Sequence, residues 1–163
     1  MSDLTVRPAH PREYRAIGEL TAAAYLADGL LAPGDAYLTE LADVAHRAEH
    51  AELLVAVDES GLLGSVTIVH PGTHYSEIAR GGELEFRMLA TTPAARGRGV
   101  GEALTRAVLD RARSSGAEAV VMSSLDAMRA AHRLYVRLGF TRVPERDREP
   151  LPGLWLRAFR AFP

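Results

Sequence analysis

Glu83-Leu84-Glu85-Phe86-Arg87-Met88-Leu89-Ala90-Thr91-Thr92-Pro93-Ala94-Ala95-Arg96-Gly97-Arg98-Gly99-Val100-Gly101-Glu102-Ala103-Leu104 reads as a strand, a turn rich in Gly and Arg, and the opening of a helix. A strand that feeds a Gly-rich turn and a helix N-terminus is a physical recipe for holding a phosphate. The glycines let backbone approach the anion, the first N–H groups of the helix have no intrahelical partner, and the helix dipole favours negative charge there. The segment is therefore expected to hold the pyrophosphate of a nucleotide-containing cofactor.

The 163 residues suit one domain spanning 1–163. Apolar residues make up 47% and charged residues 25%, ordinary for a soluble globular protein. A net charge of −2 gives no reason to expect a nucleic-acid or membrane-surface partner. The absence of cysteine excludes disulfides, thiolate nucleophiles and Cys-ligated zinc, and fits a cytoplasmic location. No apolar run is long enough to span a bilayer, and Met1-Ser2-Asp3 starts no signal peptide. All 19 basic residues are arginine.

Working outward, Leu4 to Arg7 alternates as a first strand, and Pro11 suits the first position of a helix whose inner face is Tyr14, Ile17, Leu20, Thr21 and Ala24. Gly29 and Pro33-Gly34 break the chain. Asp35 is the expected N-cap of one second helix, with Tyr37, Leu38, Leu41, Ala45 and Ala48 at helical spacing. Glu52–Val57 and Leu62–Val69 form a hairpin about Asp58-Glu59-Ser60-Gly61. The polar stretch from His70 to Gly82 is long for a hairpin connection, a length that is often functional or mobile. The helix begun at the glycine turn runs to about Ser115 with Gly116 as its stop, and Ala119-Val120-Val121-Met122 has the continuous apolar run of a strand buried on both faces. Asp126 is the expected cap of the next helix, which carries Ala127, Ala131, Leu134 and Leu138 and ends at Gly139. Phe140–Val143 and Leu154–Arg160 read as two last strands, joined by a charge-rich link. The order is β-α-α-β-β-β-α-β-α-β-β. The strands flanking the glycine turn's helix must be parallel, within an otherwise hairpin-connected mixed sheet.

Arg96-x-x-Gly99-x-Gly101, preceded by Leu89-Ala90-Thr91-x-Pro93 and followed by Leu134-Tyr135-x-x-x-Gly139-Phe140, resembles the GCN5-related N-acetyltransferases (GNAT) along nearly the whole chain. The resemblance implies an α/β (α+β) fold, with a mixed, mostly antiparallel sheet of about seven strands flanked by four helices. It also implies acetyl-CoA as co-substrate, a small-molecule or peptide amine as acceptor, and no metal, and it admits a homodimer. The family's backbone strand for the pantetheine arm falls on Leu89, Ala90 and Thr91, and its pyrophosphate turn on Arg96, Gly97, Arg98, Gly99, Val100, Gly101 and Glu102. Where many members carry an asparagine seven residues before the tyrosine, this chain has Met128. That contact must be lost, or supplied by a residue such as Arg129 or Arg133.

Acyl transfer to an amine needs a neutral nucleophile, a proton for the leaving thiolate and a donor for the tetrahedral oxyanion. Tyr135 matches the family tyrosine near the cofactor sulfur and is the candidate acid; the alternative is packing beside Leu134 and Leu138. Glu85 is the candidate base, with Glu83 on the same face of the strand; the alternative is a solvent-facing edge or a partner for Arg87 or Arg80. Tyr25, Asp28, Tyr37, His74, Tyr75 and Trp155 are available to line an acceptor site. His46-x-x-x-His50 lacks a metal-site pattern. The resemblance thus implies an N-acetyltransferase acting by direct attack in a ternary complex. The alternative is a non-catalytic acyl-CoA-binding sensor or scaffold. A dinucleotide-binding oxidoreductase is disfavoured because Arg96–Gly101 lacks the Gly-x-Gly-x-x-Gly spacing.

Overall fold

The structure is a computed structural model describing residues 3–163; Met1 and Ser2, part of the start read above for a signal peptide, lie outside the described residues. Its strands are β1 (Thr5–Pro8), β2 (Glu52–Asp58), β3 (Gly61–Val69), β4 (Glu83–Thr91), β5 (Ala119–Leu125), β6 (Thr141–Arg142), β7 (Arg148–Leu151) and β8 (Leu154–Ala161). Its helices are α1 (Tyr14–Ala27), α2 (Tyr37–Ala42), α3 (Val44–His50), α4 (Val100–Ser115) and α5 (Arg129–Arg137). The eight strands form one sheet in the order β1-β2-β3-β4-β5-β8-β6, with β7 on β8. As the crossover argument requires, β4 and β5 are parallel; the β1–β2, β2–β3, β5–β8, β6–β8 and β7–β8 pairs are antiparallel. Among the described residues no helix is long and apolar enough to cross a membrane.

Among the described residues the element count exceeds the expected seven strands and four helices by one each. The single second helix is instead two, because Asp43 leaves helical geometry (φ −83°, ψ 66°) and its side chain accepts the His46 N–H to start α3. The break changes the helical phase, so Val44 and Arg47 are buried while Ala45 is exposed. Arg47 reaches back and donates to the C-terminal carbonyls of α2, Glu40 O at 3.3 Å and Leu41 O at 3.1 Å. The extra strand is β7, which arises inside the charge-rich link and pairs with β8. Asp126 does not cap α5; Met128 holds that position, and Asp126 pairs with Arg157 at 3.0 Å.

The chain divides into two compact units, Met1–Ile68 with Met88–Ala107, and Val69–Arg87 with Val108–Pro163. In the first, Ile17, Val44, Leu53 and Val55 form a core against which Tyr14 and Leu62 pack; Leu20, Ala24 and Ala90 form a second cluster. Gly64 on β3 permits the close approach that sets the start of α4. A Cβ there would lie 2.8 Å from the Ala90 carbonyl oxygen, 2.8 Å from Val100 Cγ1 and 3.1 Å from Leu104 Cδ1. In the second unit, the run Ala119–Met122 is buried throughout, as its continuous apolar character predicts. The parallel ladder is short, pairing Glu83–Glu85 with Ala119–Val121. In the first unit, Met88 on β4 has φ 56°, a left-handed conformation inside a strand that costs of the order of 1–3 kcal/mol.

Gly64→Ala is expected to destabilise the protein by about 1–3 kcal/mol through overpacking against backbone, read as a lower urea midpoint with an unchanged slope.

Candidate active site

In the first unit, the turn after β4 is held by two arginines tied to aspartates. Gly97 (φ 78°) and Gly99 (φ 79°) adopt the left-handed conformation, and a Cβ at either would meet nothing within 4 Å, so one side of the backbone is open. Arg96 forms a bidentate pair with Asp28, at 2.5 and 3.0 Å. Asp28 is itself fixed, because it ends α1 and Gly29 (φ 68°) turns the chain there. Arg98 pairs with Asp58 at 2.8 Å; Asp58 also accepts the Ser60 N–H and hydroxyl in the β2–β3 turn. The Ser60 and Arg98 bonds hold the Asp58 carboxyl down at about 2. Ala103 donates to Gly99 O at 3.0 Å, the first helical bond of α4. The N–H groups ahead of it are those a helix start leaves without intrahelical partners. Both arginines brace the turn, and the backbone is what the turn presents.

In the second unit, Glu85 is neither a solvent-facing edge nor a partner of Arg87 or Arg80. It is fully buried, and its Oε1 accepts three successive backbone N–H groups, from Glu77 (3.0 Å), Ile78 (3.1 Å) and Ala79 (3.1 Å). Its Oε2 is buried and has no hydrogen-bond partner. Burial pushes the carboxyl above the usual range, and the three N–H bonds only partly offset it. Glu83 is different. It accepts the Arg80 N–H and two nearly buried hydrogen bonds from the Arg146 guanidinium, at 2.6 and 3.1 Å. Burial, the largest single influence, would raise its carboxyl, but the Arg146 bonds, the Arg80 N–H and the charges of Arg146 and Arg160 together hold it low. The stretch from His70 to Gly82 is thus tied down: Arg87 donates to Tyr75 O and pairs with Glu77, and Arg146 donates to Ile78 O.

Tyr135 lies on the buried face of α5, 2% exposed, with ring centroids 5.9 Å from Phe86, 5.8 Å from Phe140 and 5.9 Å from Phe159. Burial pushes its hydroxyl upward, so it stays protonated across the physiological range. Met128 Sδ accepts a 3.7 Å contact from the Ser124 hydroxyl. Ser124 also lies 3.1 Å from His132 Nε2, which is 3.0 Å from Leu125 O. A carbonyl only accepts, so Nε2 carries the proton and cannot deprotonate Ser124. This pair is no nucleophile–base dyad.

Of the acceptor-site candidates, Tyr25 and Tyr37 pack at 6.2 Å and His74 and Tyr75 at 4.9 Å, while Trp155 lies beneath the Arg157 guanidinium at 4.9 Å. The partners Asp58, Glu77 and Arg146 were not singled out from sequence. Of the three, only Arg146 lies in a recognisable charge pattern, the alternating run Glu145-Arg146-Asp147-Arg148-Glu149.

A model of the acetyltransferase (GNAT) family matches residues 15–140. The chain belongs to the GNAT family. It is similar to mycothiol acetyltransferase of Arthrobacter sp. (strain FB24), 44% identical over 94 residues, 56% of this chain and 28% of that protein. It is also similar to N-acetylaspartate synthetase of Danio rerio, 38% identical over 71 residues, 44% of this chain and 25% of that one. These matches span about a quarter of each relative's length. Among solved structures, histone acetyltransferase HPA2 and related acetyltransferase of Corynebacterium glutamicum ATCC 13032 aligns with TM-score 0.74 and 25% identity, over 100% of this chain and 97% of that one. A Salmonella typhimurium acetyltransferase, yncA, solved with its cofactor acetyl-CoA, shares the fold at TM-score 0.69 and 21% identity, over 98% and 93% of the two chains. The eight-stranded, mostly antiparallel mixed sheet flanked by helices is the GNAT fold.

Two stability changes follow from the buried carboxylates. Arg146→Ala strands Glu83 and is expected to cost about 3 kcal/mol, with part of the loss recovered in the Glu83→Gln/Arg146→Ala double variant, both read by urea unfolding. Glu85→Gln is expected to keep or raise the melting temperature at pH 7, since the amide oxygen still accepts three N–H groups and no buried charge remains. The unfolded chain loses this proton near 4.5 while the folded chain holds it to higher pH, so the wild type loses stability as pH rises through that window. The gap to Glu85→Gln in thermal melts should therefore close as pH falls through it.

Proposed function

We propose that this chain is an N-acetyltransferase that moves an acetyl group from acetyl-CoA to a primary amine by direct attack in a ternary complex. The reading takes residues 1–163 as one catalytic domain, cytoplasmic and needing no metal. The observation that carries it is the turn from Arg96 to Gly101, whose arginines are consumed by Asp28 and Asp58 while its glycine backbone is left open to an anion. That arrangement fits the pyrophosphate of coenzyme A, held by N–H groups of Gly97, Gly99, Val100, Gly101 and Glu102 at the start of α4. The backbone of Leu89, Ala90 and Thr91 suits an amide-bearing arm added as a strand. Acetyl-CoA supplies the thioester.

The protein's part in the reaction is then proton management and charge stabilisation. Glu85 takes the proton of the attacking amine on Oε2, the oxygen that the three N–H groups leave unclaimed, through a water that reaches the buried side chain. Its raised proton affinity makes it a better base than an exposed carboxylate. An N–H at Leu89 or Ala90 holds the oxyanion. Tyr135, which burial keeps protonated, is the donor to the leaving thiolate, and the thiolate's charge has to overcome the tighter hold that burial gives the hydroxyl on its proton. Names among the relatives favour small amine acceptors.

Thiol release from acetyl-CoA over a panel of amines tests the reading. Tyr135→Phe is expected to bind coenzyme A as the wild type does by calorimetry and to turn over at least ~100-fold more slowly. Glu85→Gln should lose the acidic limb of the kcat/KM profile. Turnover by Tyr135→Phe equal to wild type at every pH would remove the tyrosine from the mechanism. Tight acetyl-CoA binding without turnover of any amine would favour a sensor.

A further inference from the structure

Within the second unit, the sheet face that carries Glu85 gathers polar atoms without partners. Glu85 stands opposite Val121 in the parallel ladder, and Val121 stands opposite Arg160 on β8. Registered partners share a face, so Glu85, Val121 and Arg160 form one row, with Cα atoms of the two ionisable residues about two strand spacings, ~10 Å, apart. Ser123 lies two residues along β5 on the same face. Arg148 joins this face through Leu156, which it opposes on β8 and which opposes Leu125. Glu85 Oε2, Ser123 Oγ, Arg160 Nε and Arg148 Nε and Nη2 are all buried without a hydrogen bond. Natural proteins leave few such atoms, and each calls for a cause.

The charges on this face do not cancel. Arg146 is committed to Glu83, and Arg87 to Glu77 and Tyr75 O, both with side chains at most 13% exposed. Arg148 meets the Glu77 carboxylate at 2.7 Å without an aligned hydrogen bond, and its side chain is 34% exposed. Arg160 rests over the Phe162 ring at 5.3 Å. The neighbouring acids are turned away: Asp147 bonds Arg142, Arg157 and the Ala158 N–H, and Glu149 accepts the Gly153 N–H. Four guanidiniums therefore face three carboxylates. Buried unmet donors remain on Arg146 (Nε), Arg148 and Arg160; Arg146 already holds Glu83 with both terminal nitrogens, which leaves Arg148 and Arg160 as the two without an aligned acid. One residue links the cationic side to the base, because the Glu77 N–H holds Glu85 while its carboxylate holds Arg148.

We infer that the acceptor is a primary amine bearing a carboxylate, its amine directed to Glu85 and its carboxylate to the guanidiniums of Arg148 and Arg160. The inference rests on the acetyltransferase reading for its chemistry. Guanidinium–carboxylate pairing supplies the two aligned hydrogen bonds that Arg148 does not obtain from Glu77. A carboxamide in the same place would leave a cation unpaired, and a site built to pair a charge rejects the analogue that lacks it.

Matched acceptors test this: amino acids and ω-amino acids against their carboxamides and decarboxylated amines, with acetyl-CoA and thiol-release readout. The carboxylates are expected to lead in kcat/KM by tenfold or more. Arg148→Met is expected to bring the carboxylate-to-amide ratio toward one through a raised KM for the acid, and Arg148→Lys to restore part of it. Arg160→Met provides a second, independent removal, and thermal melts check that each variant folds. Carboxamides that equal or outrun the acids, or an unchanged ratio in both methionine variants, would overturn the inference while leaving the acetyltransferase reading intact. Should no amine turn over at all, that reading fails instead. Calorimetry with the best-binding amino acid then decides the site, which stands if binding is lost in Arg148→Met and falls if wild type binds no acid.

Discussion

A carboxylate buried with three backbone N–H groups on one oxygen and none on the other is the constraint around which the second unit is built. Removing a carboxylate from water costs several kcal/mol, and three N–H donors do not fully repay it, since the group's proton affinity is raised and not lowered. What the donors do achieve is geometric. Three consecutive amides converge on Oε1 only if the chain from Glu77 to Ala79 curls around it, so Glu85 shapes that loop as firmly as the loop encloses Glu85. The two carboxylates of the strand are set apart by their partners. Glu83, paired with Arg146, has its proton affinity lowered; Glu85, with no cation bonded to it, has its proton affinity raised by burial.

The turn of the first unit follows the opposite rule. Its arginines would seem the natural phosphate ligands in a motif read from sequence, yet Asp28 and Asp58 occupy both. Tying each guanidinium to an aspartate fixes the path of the turn from two sides, one anchor at the end of α1 and one in the β2–β3 hairpin. Under the proposed reading, the attraction for an anion would rest with the peptide dipoles, which cannot swing away as a side chain can and need no reorganisation when a ligand arrives.

This division marks how far the sequence could be read. Strand and helix periods, the glycines after the longer helices and the right-handed crossover are local or chiral rules, and they led to the parallel β4–β5 pair and to Gly116 and Gly139 as stops. Asp43 was missed because one residue leaving helical geometry does not interrupt an apolar stripe until the phase is counted on both sides. Strand β7 was missed because its pattern is of charge and not of apolarity. For Glu85 and Tyr135 the family resemblance offered candidate roles, but not their burial or partners. With 19 arginines and 21 acids in the chain, the number of conceivable pairs is large, and pairs such as Arg96–Asp28 join residues far apart in sequence that only the fold brings together.

That every cation is a guanidinium matters to this outcome. Arg47 packs its side chain out of solvent and still donates to two carbonyls of α2, which a compact ammonium would do only at a larger desolvation cost. Arg146 spans Glu83 and the Ile78 carbonyl with one planar fork, joining β4 to the loop that encloses Glu85. The same plane has a drawback, since its donors are fixed in direction. Where the acid does not lie in the fork, as with Arg148 and Glu77, charge is balanced while hydrogen bonds are not. A guanidinium left in that condition keeps donors that a planar anion could meet edge-on, and a neutral amide would match the shape of that anion but not its charge.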